Sequence, residues 1–142
     1  MSAESVFVDS NILLYAHDLD AGAKRTMAQA ALARLARERT GVLSMQVLQE
    51  FYVNATRKLA HPLPRAEARA IVSDFSYWCV PTTPREIQDA FRMEDEAKIS
   101  FWDAMIVSAA VKAGASCLFT EDMSHGQVIA GIRIENPFAG RT

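Results

Sequence analysis

Four acidic side chains occupy positions from which a sheet-based fold can bring them together. Asp9 follows a short apolar run, Val6–Val8, which is typical of a strand buried on both faces. Asp122 closes a second run of this kind, and Glu50 and Asp103 fall early in two segments with helical patterning. Parallel α/β sheets place ligand sites outside the carboxyl ends of their strands. Four ionised carboxylates at one such edge would repel each other, so the pattern predicts a bound cation.

The chemistry that fits this set of donors is phosphoryl transfer or hydrolysis with Mg²⁺ or Mn²⁺, which prefer oxygen ligands. The three histidines and two cysteines lack the spacing of a zinc site, and neither GxxxxGK[ST] nor GxGxxG is present. Nucleoside triphosphate and dinucleotide binding therefore lack support. Four basic side chains of a predicted helix are candidates to contact a nucleic-acid backbone: Lys24, Arg25, Arg34 and Arg37.

Three of the acidic residues also have a purely structural explanation. Asp9 can cap a helix, with Ser10 and Asn11 as further capping candidates. Glu50 can lie on the solvated side of an amphipathic helix, and Asp103 can complete a capping box with Ser100. The functional interpretation depends on the fold bringing all of these acids to one place.

The order of elements predicts an α/β fold with a central, mainly parallel sheet of four to five short strands flanked by helices. Thr83, Pro84 and Glu86 form a capping-box pattern at the start of one helix, and the helix at 101–113 is apolar on all sides, which predicts burial. Residues 137–140 are predicted to be a tail. Helical patterning covers 23–39, 45–58, 65–75, 84–96 and 101–113, and strand signals lie at 6–8, 42–44, 77–80, 116–120, 128–129 and 132–134.

Length and composition fit one domain spanning residues 1–142. Half of the residues are hydrophobic and the formal net charge is −2, so the chain as a whole is not polybasic. Residues 24–69 are mainly basic and residues 85–122 mainly acidic, which indicates either a polyanion-binding face beside a cation site or two solvated surfaces. Cys79 and Cys117 are expected to be buried, reduced thiols. With no signal peptide or membrane-spanning run in the sequence, we expect a cytoplasmic protein without membrane association.

At these motifs the sequence resembles the PIN-domain nucleases, and within them the VapC toxins of type II toxin–antitoxin pairs. The resemblance covers essentially the whole chain. It rests on Asp9-Ser10-Asn11 after an apolar strand, on Glu50, on Ser100-Phe101-Trp102-Asp103-Ala104 and on residues 118–127, which begin Leu118-Phe119-Thr120-Glu121-Asp122.

The resemblance implies an endoribonuclease that depends on Mg²⁺ or Mn²⁺, with Asp9, Glu50, Asp103 and Asp122 as its catalytic and metal-binding acids. Asp9 and Asp103 would be the direct ligands, Asp122 would bind a second metal or hold a water, and Glu50 would bind metal or take a proton from the attacking water. Ser10, Asn11 and Thr120 would give polar support. Glu121 is the alternative to Asp122 as the fourth acid.

The resemblance also implies an RNA substrate, an antitoxin partner that lies in a groove near the site, and a homodimer. Four apolar side chains are candidates for such surfaces or, alternatively, for the core: Val47, Phe51, Tyr52 and Trp78. Two other functions stay open. One is an inactive interaction module of the same fold, and the other is a phosphotransfer or receiver-like domain that uses Asp9 as acceptor. The RNA target is not indicated by the sequence.

Overall fold

The structure is a computed structural model that describes residues 4–139, and its centre is one five-stranded sheet. The strands are β1 (Val6–Val8), β2 (Gly41–Val42), β3 (Cys117–Phe119), β4 (Val128–Ile129) and β5 (Ile132–Glu135). Their order in the sheet is β2-β1-β3-β5-β4, and all neighbours are parallel except the antiparallel pair β4 and β5. The predicted α/β class and mainly parallel sheet are therefore confirmed.

Six helices cover this sheet, and the five that follow α1 agree closely with the predicted segments. The helices are α1 (Ser10–His17), α2 (Ala23–Glu38), α3 (Met45–Arg57), α4 (Arg65–Phe75), α5 (Pro84–Ala97) and α6 (Phe101–Lys112). Helix α1 packs on α2 and α3, α3 packs on α4, and α5 packs on α6, which in turn contacts β3 and β5. Among residues 4–139, no helix combines the length and the apolar character needed to cross a bilayer.

The register of the central strands fixes which side chains share an edge. Val8 pairs with Phe119, and Phe119 pairs with Glu135, so β1, β3 and β5 end at the same level. Both β1 and β3 are buried at every residue, because helices cover both faces of the sheet. Asp9 and Thr120 are each the first residue after their strand and therefore lie side by side.

The segment at 77–80 is not a strand of the sheet, which corrects the prediction. Ser76–Trp78 is a short 3₁₀ turn. Within the segment, only Cys79 forms a strand-like pairing, which is an isolated parallel bridge to Leu43. The apolar run packs instead through its Trp78 ring, which meets Phe75 edge-to-face with centroids 4.9 Å apart. Tyr77 is 92% exposed, which is incompatible with a buried strand.

The carboxyl-terminal segment is also packed more tightly than a tail. Phe138 is buried, and its ring meets Tyr15 edge-to-face with centroids 5.3 Å apart. Gly140 lies outside the described residues. Of the four candidate surface residues, Val47 and Phe51 are fully buried core residues, whereas Tyr52 and Trp78 are half-buried.

The start of α5 is confirmed in detail. The Thr83 hydroxyl accepts from the Arg85 N–H, and Glu86 Oε1 accepts from the Thr83 N–H at 2.7 Å. The start of α6 is only partly as expected, since Ser100 Oγ accepts from the Asp103 N–H but no return bond to Ser100 N is formed. Nor is α6 buried all round, because Trp102 is 64% exposed and Val111 is 42% exposed.

The two cysteines are free, but only Cys117 is buried, and Cys79 is half-buried. The expected pair of buried thiols is therefore correct for Cys117 alone. Cys79 is partly exposed because it follows the 3₁₀ turn and does not lie in a covered strand.

Gly41 is required for packing rather than for ending α2. The left-handed residue at that helix end is Arg39, with φ of 58°. A Cβ on Gly41 would lie 2.3 Å from the Trp78 ring, well inside van der Waals contact. We therefore expect Gly41→Ala to lower the free energy of unfolding by about 1–3 kcal/mol, as overpacking does. Urea unfolding would measure this, and Trp78→Leu in the same chain should recover part of the loss.

Candidate functional site

Asp9 is the most buried of the four acids, with 3% of its surface exposed. It occupies the N-cap of α1, and its Oδ1 accepts from the Ser10 N–H at 2.7 Å. Its Oδ2 accepts from the Thr120 hydroxyl at 2.8 Å. The N-cap is thus Asp9 and not Ser10 or Asn11, because those two side chains bind other partners across the site.

Thr120 and Asn11 connect the ends of β1 and β3. The Thr120 hydroxyl accepts from the Asp122 N–H at 3.1 Å, and it is fully buried. Asn11 Nδ2 lies 3.3 Å from Thr120 Oγ1 and 3.1 Å from Asp122 Oδ2, while Asn11 Oδ1 accepts from the Glu121 N–H. These contacts hold the first turn of α1 against the loop after β3.

Glu50 belongs to the same site although it is distant in sequence. It is half-buried on α3, and its Oε1 accepts from the Ser10 hydroxyl at 3.2 Å. Gln46, one turn earlier, places Nε2 3.5 Å from Glu50 Oε2 and 3.3 Å from the Trp102 carbonyl oxygen. Glu50 therefore faces a junction of α1, α3 and α6 and not open solvent.

Asp103 lies half-buried in the first turn of α6, and no ion pair to it is found among residues 4–139. The sequence indicates that a cation or strong hydrogen-bond donor should meet this side chain. Burial raises the pKa of Asp103, the negative charge of Asp122 raises it further, and hydrogen bonding to Ser100 opposes both effects. Its carboxylate is thus electrostatically unsatisfied within the described chain.

The neighbours Glu121 and Asp122 have different surroundings. Glu121 accepts a hydrogen bond from the Tyr15 hydroxyl and forms an ion pair with Lys24 at 2.8 Å. Asp122 is exposed, has no cationic partner in the described chain, and lies near enough to Asp9 and Asp103 to raise the pKa of both. The charge of Glu121 is therefore already compensated by Lys24, whereas Asp122 has no such partner in the described chain and can face an added cation.

The pKa of Asp9 reflects both its burial and the proximity of the other acids. Burial raises its pKa from 3.8 to about 7, and the charges of Asp122 and Glu50 contribute in the same direction. Hydrogen bonds from Thr120 and the Ser10 N–H only partly offset this. A carboxylate in such surroundings is stabilised by a metal ion, which replaces the lost solvation and cancels the repulsion.

The side chains do not form a complete metal cage. Over residues 4–139, no group of three or more Asp, Glu, His or Cys side chains is arranged to hold a metal ion. Mg²⁺ is commonly bound through one or two carboxylates with several waters, so it does not require such a cage. The donors available at this edge are all oxygens, and Asp9, Asp103 and Asp122, which have no ion-pair partner among residues 4–139, fit a hydrated Mg²⁺ or Mn²⁺.

Of the four basic side chains predicted to contact a nucleic-acid backbone, only Lys24 contacts the site, where it forms an ion pair with Glu121. Arg25 is half-buried, and its Nε is a buried atom without a hydrogen-bond partner. Arg34 is exposed over the Phe119 ring at 5.7 Å, and Arg37 is exposed. Within the described chain, no ion pair joins these three arginines to the acids.

Sequence reasoning did not assign two residues to this site, Gln46, which it placed beside Glu50 on the solvated face of the helix, and Tyr15. Gln46 is four residues before Glu50, so a helical spacing places both side chains on one face. The spacing predicts the neighbour, but it does not show that this face of the helix borders the site. Nothing local to Tyr15 indicates its contact with Glu121, which arises only when α1 packs beside the loop after β3.

Comparison with protein families and solved structures agrees with this fold. A family model described as PIN domain matches residues 6–128. No curated protein gives a significant match. A toxin–antitoxin complex from Klebsiella pneumoniae is 24% identical, with a TM-score of 0.67, and the match covers 94% of this chain and 98% of that one.

Two further structures share the fold at lower identity. VapBC2 from Rickettsia felis, bound to a promoter DNA fragment, is 18% identical over 92% of this chain and 97% of that chain, with a TM-score of 0.64. VapC20 from Mycobacterium tuberculosis, described as a toxin that cleaves the sarcin–ricin loop, is 19% identical over 91% of this chain and 99% of that chain, also with a TM-score of 0.64.

Proposed function

The chain belongs to the PIN domain family, and from this premise we propose that it is an endoribonuclease that depends on Mg²⁺ or Mn²⁺. The observation that carries the proposal is the convergence of four acids from distant parts of the chain. Asp122 and Glu50 both raise the pKa of Asp9, and Asp122 raises the pKa of Asp103. Such mutual repulsion destabilises the metal-free chain, so it indicates a site built for a cation.

We assign roles to the acids from their surroundings. Asp9 and Asp103 are the proposed direct ligands, because both are at least half-buried and neither has a cationic partner in the described chain. Asp122 is placed to hold a second metal or an ordered water. Glu50, held by Ser10 and Gln46, would help to hold the metal or would accept a proton from a water at a carboxylate oxygen. A bound Mg²⁺ or Mn²⁺ would supply a water of lowered pKa and stabilise charge on the phosphate oxygens.

The polar residues keep these acids in place without taking part in the reaction. Asn11 donates towards Asp122 and accepts from the Glu121 N–H, so it fixes the loop after β3. Thr120 donates to Asp9 and favours its ionised form. Lys24 is paired with Glu121, and 44% of its side chain is exposed, so it is a candidate to contact a substrate phosphate.

Replacing Glu121 and Asp122 separately should distinguish the fourth acid. We expect Glu121→Gln to leave cleavage within about threefold and to lower stability by no more than about 1 kcal/mol, because it breaks a partly exposed ion pair. Asp122→Asn should lower cleavage by about 100-fold or more, since it removes a charge facing the reacting centre. Steady-state rates with one RNA substrate would measure both effects. The reverse pattern would make Glu121 the fourth acid.

We also propose that the protein is the toxin of a toxin–antitoxin pair and that it forms a homodimer. The support is the similarity of fold to solved proteins described as toxin–antitoxin complexes. A small protein encoded beside this chain should copurify with it and suppress RNA cleavage. Sedimentation should give twice the chain mass of 15.7 kDa. Uninhibited cleavage in the presence of that protein would contradict the pairing.

The test of the function is cleavage of a mixed transfer and ribosomal RNA pool by purified protein. We expect cutting with Mg²⁺ or Mn²⁺, none with chelator, and none by Asp103→Asn, whose charge is removed at constant shape. If wild type cuts nothing and Mn²⁺ does not raise its melting temperature, the chain is an interaction module of this fold. A phosphoaspartate at Asp9 would instead support phosphotransfer.

A further inference from the structure

One large aromatic side chain beside the acidic site has no partner to cover it within the described chain. Trp102 precedes Asp103 in the first turn of α6, and 64% of its surface is exposed. An exposed Trp is unusual, because its ring normally contributes a large apolar area to a core or an interface. Trp102 directly precedes Asp103, and its carbonyl oxygen lies 3.3 Å from Gln46 Nε2, so the ring extends from a stretch of backbone that borders the site.

The ring of Trp102 is supported from one side. It meets the Phe101 ring edge-to-face with centroids 5.2 Å apart, and Phe101 in turn lies 5.9 Å from the Phe91 ring. The Trp102 carbonyl accepts from Gln46, which also donates to Glu50. The backbone at Trp102 is thus tied to the same network that holds an acid of the site, while much of the indole surface stays open to solvent.

The charges at this edge restrict how RNA can be held. The four acids of the site repel phosphates until a metal is bound, and Lys24 is already paired with Glu121. From the last turn of α5 to the start of α6, the two exposed acids Asp95 and Glu96 outnumber the one exposed cation, Lys98. Ionic contact with the backbone is therefore poor here, but an uncharged base can stack on an aromatic ring irrespective of these charges.

We infer that Trp102 is a specificity-determining residue on whose indole ring an unpaired base next to the scissile phosphate stacks. This inference rests on the proposed function, since it takes RNA as the substrate of the site. Stacking is tolerant of base identity, so the ring selects single-stranded over paired RNA more than it selects a sequence. Loss of the ring should weaken binding of single-stranded RNA by about 10- to 100-fold.

The test is binding of a fluorescent oligo(A) RNA of about 12 nucleotides to the Asp103→Asn protein, which should not cut it, with Mg²⁺ present. We expect Trp102→Ala to raise the Kd by about 10- to 100-fold and Trp102→Phe to change it by less than about fivefold. An abasic ribose-phosphate chain of equal length should bind weakly, and equally, to the parent protein and to the Trp102→Ala variant. Tyr77→Ala is the matched control, because Tyr77 is 92% exposed but lies on no helix that carries an acid of the site.

Each other outcome counts against the inference. Unchanged oligo(A) binding in Trp102→Ala, or no measurable binding to the parent, overturns it, because stacking should not depend on sequence. If Trp102→Ala turns a dimer into a monomer in sedimentation, the ring belongs to an interface between copies. The proposed nuclease function is judged separately, since it fails only if the wild-type chain with Trp102 intact does not cut the RNA pool.

Discussion

Without divalent cations, the protein should lose about 4 kcal/mol of unfolding free energy as the pH rises from about 4 to about 7 through the titration of Asp9. The pKa of Asp9 is about 7 in the folded chain and 3.8 as its ordinary value, so the folded state holds a proton that the unfolded state has released. Stability falls with pH wherever the folded state binds more protons. The loss is therefore complete above about pH 7.

The effect of Asp9→Asn on the free energy of unfolding should depend on pH, because the substitution should stabilise the protein at pH 8 but not at pH 5. At pH 8 it removes the buried charge, worth about 4 kcal/mol, and disturbs the Thr120 hydrogen bond, worth about 1–2 kcal/mol, so the variant should be more stable by about 2 kcal/mol. At pH 5 the proton held by the folded wild type still costs about 1.6 kcal/mol, which roughly cancels the hydrogen-bond term, so the variant should be about as stable as wild type. Denaturant unfolding in chelator at both pH values would measure this difference.

Adding Mn²⁺ separates the structural from the functional effect of this substitution. Wild type should gain stability at pH 8 because the ion binds only the folded chain, whereas Asp9→Asn should gain little. Cleavage by the variant should fall by about 100-fold or more even though its metal-free form is the more stable. The stability difference between Asp9→Asn and wild type should favour the variant more at pH 8 than at pH 5. The opposite trend would show that burial of Asp9 does not raise its pKa.

Thr120→Val should shift the pH dependence of cleavage as well as its rate. Valine has nearly the shape of threonine but cannot donate to Asp9 Oδ2 or accept from the Asp122 N–H. Because the Thr120 hydroxyl lowers the pKa of Asp9, its loss raises that pKa further and moves the acid limb of the rate profile to higher pH. We expect cleavage at pH 7 to fall by about 10- to 100-fold and to recover partly at pH 9. Unfolding free energy should fall by about 1–3 kcal/mol at this fully buried site.

Thr120→Ser is the control that keeps the hydroxyl. It removes one buried methyl group, which lowers stability by about 1 kcal/mol, but it should leave the pH profile in place. If valine and serine lower stability and leave the pH profile equally unchanged, then the hydroxyl does not set the protonation of Asp9, and Thr120 contributes by packing alone.

The elements that carry Asp9, Asp103 and Asp122 could be predicted from strong local patterns, whereas Glu50 is marked only by an amphipathic helix. The apolar run before Asp9 marks a buried strand, and the Thr83–Glu86 capping box marks the start of α5. Parallel strands then bring their carboxyl ends to one edge without further information. The same reasoning predicts the helices to within one or two residues, since helical periodicity persists over several turns.

The predictions that were wrong concern residues whose positions depend on contacts between segments distant in sequence. The sequence predicts that Trp78 belongs to a strand, but its ring packs against Gly41. It predicts that Phe138 belongs to a tail, but its ring packs against Tyr15. Neither partner is near in sequence. The different surroundings of Glu121 and Asp122 likewise arise from contacts of Glu121 with Tyr15 and Lys24, which come from the opposite end of the chain. Local patterns place a residue on an element, but they do not show which side chains meet it.

The position of β3 in the middle of the sheet has a consequence for biosynthesis. β3 pairs with β1 on one side and β5 on the other, and Thr120 and Asp122 follow it directly. A growing chain that has emerged only as far as α6 therefore already contains Asp9, Glu50 and Asp103, but it lacks the strand that aligns them. Long-range pairing of this kind forms late, because the intervening chain must first close a loop. The proposed site is therefore completed only after the segment through β3 has been synthesised and has paired with β1.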